Sequence, residues 1–213
     1  MIKSKAFLLT SLLIVFTCLT TSGSVMAQKS KARPAKVTPT PPVVIVEVEP
    51  QSIEENWKPF TSVEGRFSIT APGGFIRNYK TAQTPDGPIQ MNVFTCFANA
   101  EYSITYADYL VVIEGNERMS LFLDGVRDSG VKGIKGRLLE EKEIMVDGHP
   151  GRTYRVEYGK KKDHLLVGRN VVVGQRLYII AATYGKKEFS SKGSYAEWAQ
   201  RFLDSFKVTK AAG

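Results

Sequence analysis

Hydrophobic and polar positions are patterned most clearly in the last third of the chain. Gln175 to Thr183 is apolar at nearly every position after its first two residues, which predicts a strand covered on both faces and therefore central in its sheet. Tyr195, Trp198, Ala199, Phe202, Leu203 and Phe206 follow at i, i+3, i+4, i+7, i+8 and i+11, one helical stripe that predicts a closing helix over residues 194–205. The strand before the central one, His164 to Val173, turns into it at Gly174-Gln175.

Upstream the period changes. Arg66 to Thr70 alternates polar and apolar and ends in the turn Ala71-Pro72-Gly73-Gly74, with a further strand from Phe75. Thr84-Pro85-Asp86-Gly87 is a turn, because proline fixes φ and glycine accepts positive φ. Ile89 to Ala98 and Tyr102 to Leu110 read as strands, the second placing Tyr102, Ile104 and Tyr106 on one face. Met119, Phe122, Leu123 and Val126 then predict a helix stopped by Gly130 and Gly133, with a loop from Val131 to Gly136. Arg137 to Val146 and Thr153 to Tyr158 flank Asp147-Gly148, a pair preferred by two-residue hairpin turns. Strands, a helix, a meander of four strands, a helix and a short final strand at Phe206-Lys207-Val208 imply an α+β fold: a mostly antiparallel sheet flanked by helices.

The front of the chain carries no such pattern. Lys3 and Lys5 precede an apolar run from Ala6 to Leu19, and Val25-Met26-Ala27 offers a cleavage site before Gln28, so residues 1–27 read as a signal peptide. The apolar run is short for a bilayer span, and no stable transmembrane span is expected after cleavage. Cys18 lies inside that run behind a bulky Phe16, which fits a signal-peptide residue better than a lipidated one. Residues 28–56 read as a Pro-rich linker. Pro34, Pro39, Pro41, Pro42 and Pro50 are half of the ten prolines, and residues 28–50 could extend to about 70 Å as polyproline II. Residues 43–48 contain the apolar run Val43-Val44-Ile45-Val46, either an added edge strand or a sticky exposed segment. The folded domain is expected over 57–209, in a periplasmic or secreted protein.

Composition narrows function by exclusion. The formal charge of +8 falls to +6 without Lys3 and Lys5, and to about +4 without the linker, mild for a nucleic-acid binder, so no specific nucleic-acid partner is expected. With Cys18 removed, Cys96 stands alone in the apolar run Val93 to Phe97, which reads as a buried free thiol rather than a nucleophile. His149 and His164 have no ligand at metal spacing, so neither a metal site nor a cofactor is assigned. Asp124 and Asp128 share a helix face with Arg127 and read as a hydrated polar face. No nucleophile elbow occurs, and no catalytic residue is named.

Several phrases resemble the Mog/PsbP-like superfamily: Glu64-Gly65-Arg66-Phe67-Ser68-Ile69-Thr70-Ala71-Pro72-Gly73, Leu123-Asp124-Gly125-Val126-Arg127-Asp128, Gly148-His149-Pro150-Gly151-Arg152, Gly174-Gln175-Arg176-Leu177-Tyr178 and Arg201-Phe202-Leu203-Asp204-Ser205-Phe206. They span residues 57–209 in order. The resemblance implies an α/β/α sandwich around an antiparallel sheet and a role in binding, with no shared catalytic residues to carry over. Its phrases are mostly turns and core positions, which report fold more than function.

One basic constellation remains. Lys160, Lys161, Lys162, Arg169, Arg176, Lys186 and Lys187 cluster around the hairpins, and a two-residue turn after Val173 places Lys160–Lys162 and Lys186–Lys187 at one end of the sheet. Such a rim could hold an acidic partner, although charged loop tips also arise from solubility alone. The expectation is a non-catalytic binding or accessory module of the cell envelope, its partner a protein or other envelope component. The alternative is a small-molecule or lipid-binding protein with a pocket between sheet and helix.

Overall fold

A computed structural model describes residues 56–84, 86–98, 100–186 and 194–210. The expected signal peptide, nearly all of the expected linker with residues 43–48, and Lys187 lie outside them. The elements in order are β1 (Lys58–Ser62), β2 (Phe67–Ala71), β3 (Ile76–Thr84), β4 (Gly87–Phe97), β5 (Glu101–Asp108), α1 (Asn116–Gly133), β6 (Arg137–Val146), β7 (His149–Tyr158), β8 (His164–Val173), β9 (Arg176–Gly185), α2 (Ser194–Asp204) and β10 (Lys207–Val208).

Seven strands form one antiparallel sheet in the order β3-β4-β5-β9-β8-β7-β6. The two-faced apolar strand, β9, is its middle member, as its lack of a polar face requires. Strand alternation sends Phe94, Cys96, Tyr102, Ile104, Tyr106, Tyr178 and Ile180 into one core with Ala199, Phe202 and Leu203 of α2. The opposite face sends Met91, Val93, Ala107, Val172 and Leu177 into a second core with Leu123 and Val126 of α1. The two helices thus cover opposite faces of one sheet.

The α2 side also carries a small three-stranded sheet, β1-β2-β10, that the sequence pattern did not separate from the main one. Its strands are short, and their pairing is non-local: Lys207 lies opposite Ser68 and Val208 opposite Phe67. Phe67, fully buried, packs its ring among those of Phe60, Phe94, Tyr106, Tyr178 and Phe206, so the small sheet closes the first core.

Other local expectations need correction. The first helix does not stop at Gly130 but runs to Gly133, so 131–133 is helical and the chain leaves through Lys135 at φ 52°. Leu123, Val126 and Ser129 are buried on its sheet-facing side, and that packing outweighs the helix cost of one glycine, about 1 kcal/mol. Trp198 is only partly buried at the margin of the α2 stripe, whereas Phe202 and Leu203 are fully buried. The turn after Val146 is as expected: Asp147 and Gly148 both take positive φ (49° and 81°), the two-residue hairpin geometry. Cys96 is buried, and that burial raises its thiol pKa.

Candidate functional site: a cleft between the first helix and the β6–β7 hairpin

The loop leaving β5 is held to the β8–β9 turn by two hydrogen bonds. Tyr109 N donates to Gln175 O (2.8 Å), and Gln175 Nε2 donates to Leu110 O (3.1 Å). The loop then reaches Gly115, whose φ of 82° turns the chain into α1 without a side-chain cap. The first helical amides, at residues 116–118, have no intrahelical acceptor by construction. This bare end of α1 stands over the β6–β7 hairpin, and an open cleft of about 450 Å³ lies between them. Met119, Ser120 and Leu123 form one wall, and Glu143, Ile144, Met145, Pro150 and Arg152 form the other.

The polar floor follows from register. A turn centred between Asp147 and Gly148 pairs Glu143 with Arg152 and Glu141 with Tyr154, on the sheet face that α1 covers. Arg152, only 10% exposed along its side chain, donates from Nη2 to Ser120 Oγ (2.7 Å) and from Nη1 to Glu143 Oε1 (3.3 Å). Its Nε lies 3.0 Å from Asp124 Oδ1 and 3.4 Å from Glu141 Oε1. Arg127, 12% exposed, joins Asp124 (3.1 Å), Asp128 and Glu141. Burial alone would lower the Arg127 pKa, but the hydrogen bonds it donates to Glu141 and Asp128 outweigh it and hold the guanidinium more firmly charged than usual. Asp124 and Arg127 are therefore part of a half-buried ionic clamp between helix and hairpin rather than the hydrated face expected from sequence, whereas Asp128, 67% exposed along its side chain, does lie in solvent. Deeper still, Tyr154 Oη donates to Asn170 Oδ1 (3.1 Å) beneath α1, and burial raises the tyrosine's pKa.

The basic residues singled out from sequence divide into two groups. Lys160, Lys161, Lys162 and Lys186 do come together at one end of the sheet, where Lys186 N donates to Asp163 O (2.7 Å). Glu157, a nearly buried carboxylate, lies among them and pairs with Lys186 and Arg137, and at 3.9 Å with Lys162. Lys186 first and Arg137 second hold its pKa below the ordinary carboxylate value. Arg169 stands in the middle of β8, donating to Leu203 O (2.9 Å) and paired with Asp204 at the end of α2. Arg176 lies at the far end of β9, doubly bonded to Asp108 (2.6 Å at each contact), bonded to Glu64 O (2.8 Å) and stacked over Tyr106. The structure does not bring these two arginines to the lysine rim. His164 contacts Asp163 (3.0 Å), and His149 opens β7; no group of potential metal ligands occurs among the described residues.

Sequence reasoning named none of Ser120, Glu141, Glu143 or Glu157, and Arg152 only within the turn phrase that carries the family resemblance. Counting outward from the Asp147-Gly148 turn would have placed Glu143 beside Arg152. The approach of α1 to them needs the tertiary structure.

Large apolar side chains are exposed at several places, Val63, Ile76 and Phe97 among them, and one group is contiguous in the chain. Leu110, Val111 and Val112 of the β5–α1 loop and Met145 of the cleft are exposed, Leu110 and Met145 each by 66%. All four lie at the end of the sheet bearing the β6–β7 and β8–β9 turns, opposite the lysine rim. No helix among the described residues is long and apolar enough to cross a membrane.

No family model matches the chain, and no curated protein matches it. Among solved structures, the solution structure of cyanobacterial PsbP (CyanoP) from Synechocystis sp. PCC 6803 is similar at a TM-score of 0.51 and 12% identity, covering 72% of this chain and 92% of that one. A Pseudomonas aeruginosa protein of unknown function, PA94, described as a putative regulator, aligns at a TM-score of 0.37 and 12% identity over 61% of this chain and 95% of its own. The fold of this chain is PsbP-like, an α+β arrangement of a mostly antiparallel sheet with two helices.

Proposed function

We propose that this chain is an exported, non-catalytic binding or accessory module, an envelope member of the Mog/PsbP-like superfamily, that engages a protein partner. The observation that carries this reading is the exposed run Leu110-Val111-Val112 on a loop pinned at both Tyr109 and Leu110 to the β8–β9 turn. A loop held by the scaffold can present apolar side chains without the ordering cost of a free one. Export rests on the sequence of residues 1–27.

In-cell crosslinking and pull-down test it. A Leu110→Ser, Val111→Ser, Val112→Ser chain should lose a stoichiometric partner while its melting temperature stays unchanged. Charge reversal at Lys160–Lys162 is the parallel arm: loss there, with capture intact in the loop variant, would move the contact to the basic rim. Undiminished capture in both variants would count against the domain as the contact surface. The second reading, a small molecule held between sheet and helix, is favoured by the 450 Å³ cleft.

A further inference from the structure

We propose that the cleft between α1 and the β6–β7 hairpin binds an amphipathic carboxylate, its apolar body against Met119, Leu123, Ile144 and Met145 and its carboxylate on Nη1 of Arg152. The proposal rests on the small-molecule reading and names its ligand class.

Three observations converge. The cleft volume, about 450 Å³, lies in the range of small-ligand sites. Its side walls are largely apolar, with two flexible methionines that can adapt to a chain, and Met145 at the mouth is exposed until something covers it. Its charged floor is half committed. Ser120 holds Nη2 of Arg152 by a hydrogen bond, Asp124 faces Nε as an ion pair without a hydrogen bond, and neither Asp124 nor Glu141 lines the cleft. Nη1 donates to Glu143 at 3.3 Å, and the Glu143 side chain is 79% exposed.

That contact is long for an ionic hydrogen bond, which ordinarily closes to about 2.7–2.9 Å. Glu143 therefore occupies Nη1 weakly, from the solvent side, in the manner a ligand carboxylate would. An incoming carboxylate exchanges with it, and Glu143 returns to water without leaving a buried charge unpaired. The uncapped amides of residues 116–118 add positive potential at the same wall, part of which Glu117 in the first turn already takes up. An alkylammonium ligand could pair only with Glu143 and would set a second cation against the Arg152 guanidinium.

Isothermal titration of the full chain with decanoate, decanol and decyltrimethylammonium, each below its aggregation concentration, tests the class. Decanoate should bind at least about tenfold tighter than the other two, the difference expected for one charge-assisted contact. Glu143→Gln removes the internal competitor and should tighten decanoate by about threefold or more. Met119→Trp fills the cleft and should abolish binding. Decanol binding as tightly as decanoate but lost in Met119→Trp would overturn the carboxylate assignment and leave the cleft a ligand pocket. Binding insensitive to Met119→Trp, or no binding of decanoate at all, would overturn the proposal; insensitivity would also remove the cleft reading beneath it.

Discussion

The hydroxyl of Tyr178 donates to the main-chain carbonyl of Gly65 at 2.7 Å, joining residues 113 positions apart. Tyr178 belongs to the central strand β9, and Gly65 to the turn between β1 and β2, so this bond fastens the small sheet to the large one. The tyrosine is nearly wholly buried, its ring packed on Phe67 and Phe206. Tyr178→Phe keeps the packing and strips the bond, leaving the Gly65 carbonyl unsatisfied. The expected loss is about 1–3 kcal/mol in urea unfolding, the usual cost of an unpaired buried acceptor. An unchanged midpoint would show that water reaches the carbonyl.

Phe202 and Trp198 lie on the same helical stripe but differ in depth. Phe202 is fully buried against Tyr102, with ring centroids 5.1 Å apart, while Trp198 is partly exposed beside Tyr195. Phe202→Ala should cost about 3–5 kcal/mol, the range for large aromatic core truncations. Trp198→Ala should cost about half as much or less, because part of its surface is already in water. Equal losses would mean the margin of α2 is as tightly covered as its centre.

The clamp under α1 predicts a sign that depends on which partner is removed. Arg127→Ala leaves Glu141 and Asp124 with Arg152 as their remaining cation, and should cost about 2–4 kcal/mol, near the range for breaking a buried pair. The double change Arg127→Met, Glu141→Leu removes both members of one pair and should recover much of that loss. Thermal melts of the two variants side by side check it, and equal destabilisation would show that the pair acts through shape.

Alkaline pH should unfold the protein through its tyrosines. Burial first, and then the charge of Glu64, pushes Tyr106 up to about 12, and burial pushes Tyr109 up to about 12. A group whose folded pKa exceeds its unfolded value of about 10 contributes stability that is complete below pH ~10 and lost as pH rises towards 12. Tyrosinate absorbance should thus rise in two stages, the later one coinciding with loss of near-ultraviolet dichroism. A single early stage with the fold intact would place both hydroxyls in contact with solvent.

How much of this was legible in the sequence depends on what fixed each feature. Asp147-Gly148 fixed the β6–β7 register by turn chemistry alone, and counting from it pairs Glu143 with Arg152. The bulge between Leu138 and Glu140 then shifts the pairing by one residue, and nothing in Arg137 to Glu140 signals it. The central place of β9 was readable because it has no polar face. The small sheet was hidden, since β2 and β10 meet across 139 residues of chain with only two residues of pairing, Lys207 to Ser68 and Val208 to Phe67. The candidate site was the least legible part: Ser120 comes from a helix, and Glu143 and Arg152 from two strands. Their meeting is a property of how α1 crosses the sheet.

The β1-β2-β10 arrangement has a consequence for how the domain is presented. The described chain enters through β1 and leaves through β10, and both strands flank β2 on the α2 side of the molecule. A leash attached at either end therefore pulls on the same face. The helix α1 with its cleft lies across the thickness of the seven-stranded sheet from both attachment points. A domain held to a surface by the residues before β1 would turn that cleft outward, towards whatever diffuses past.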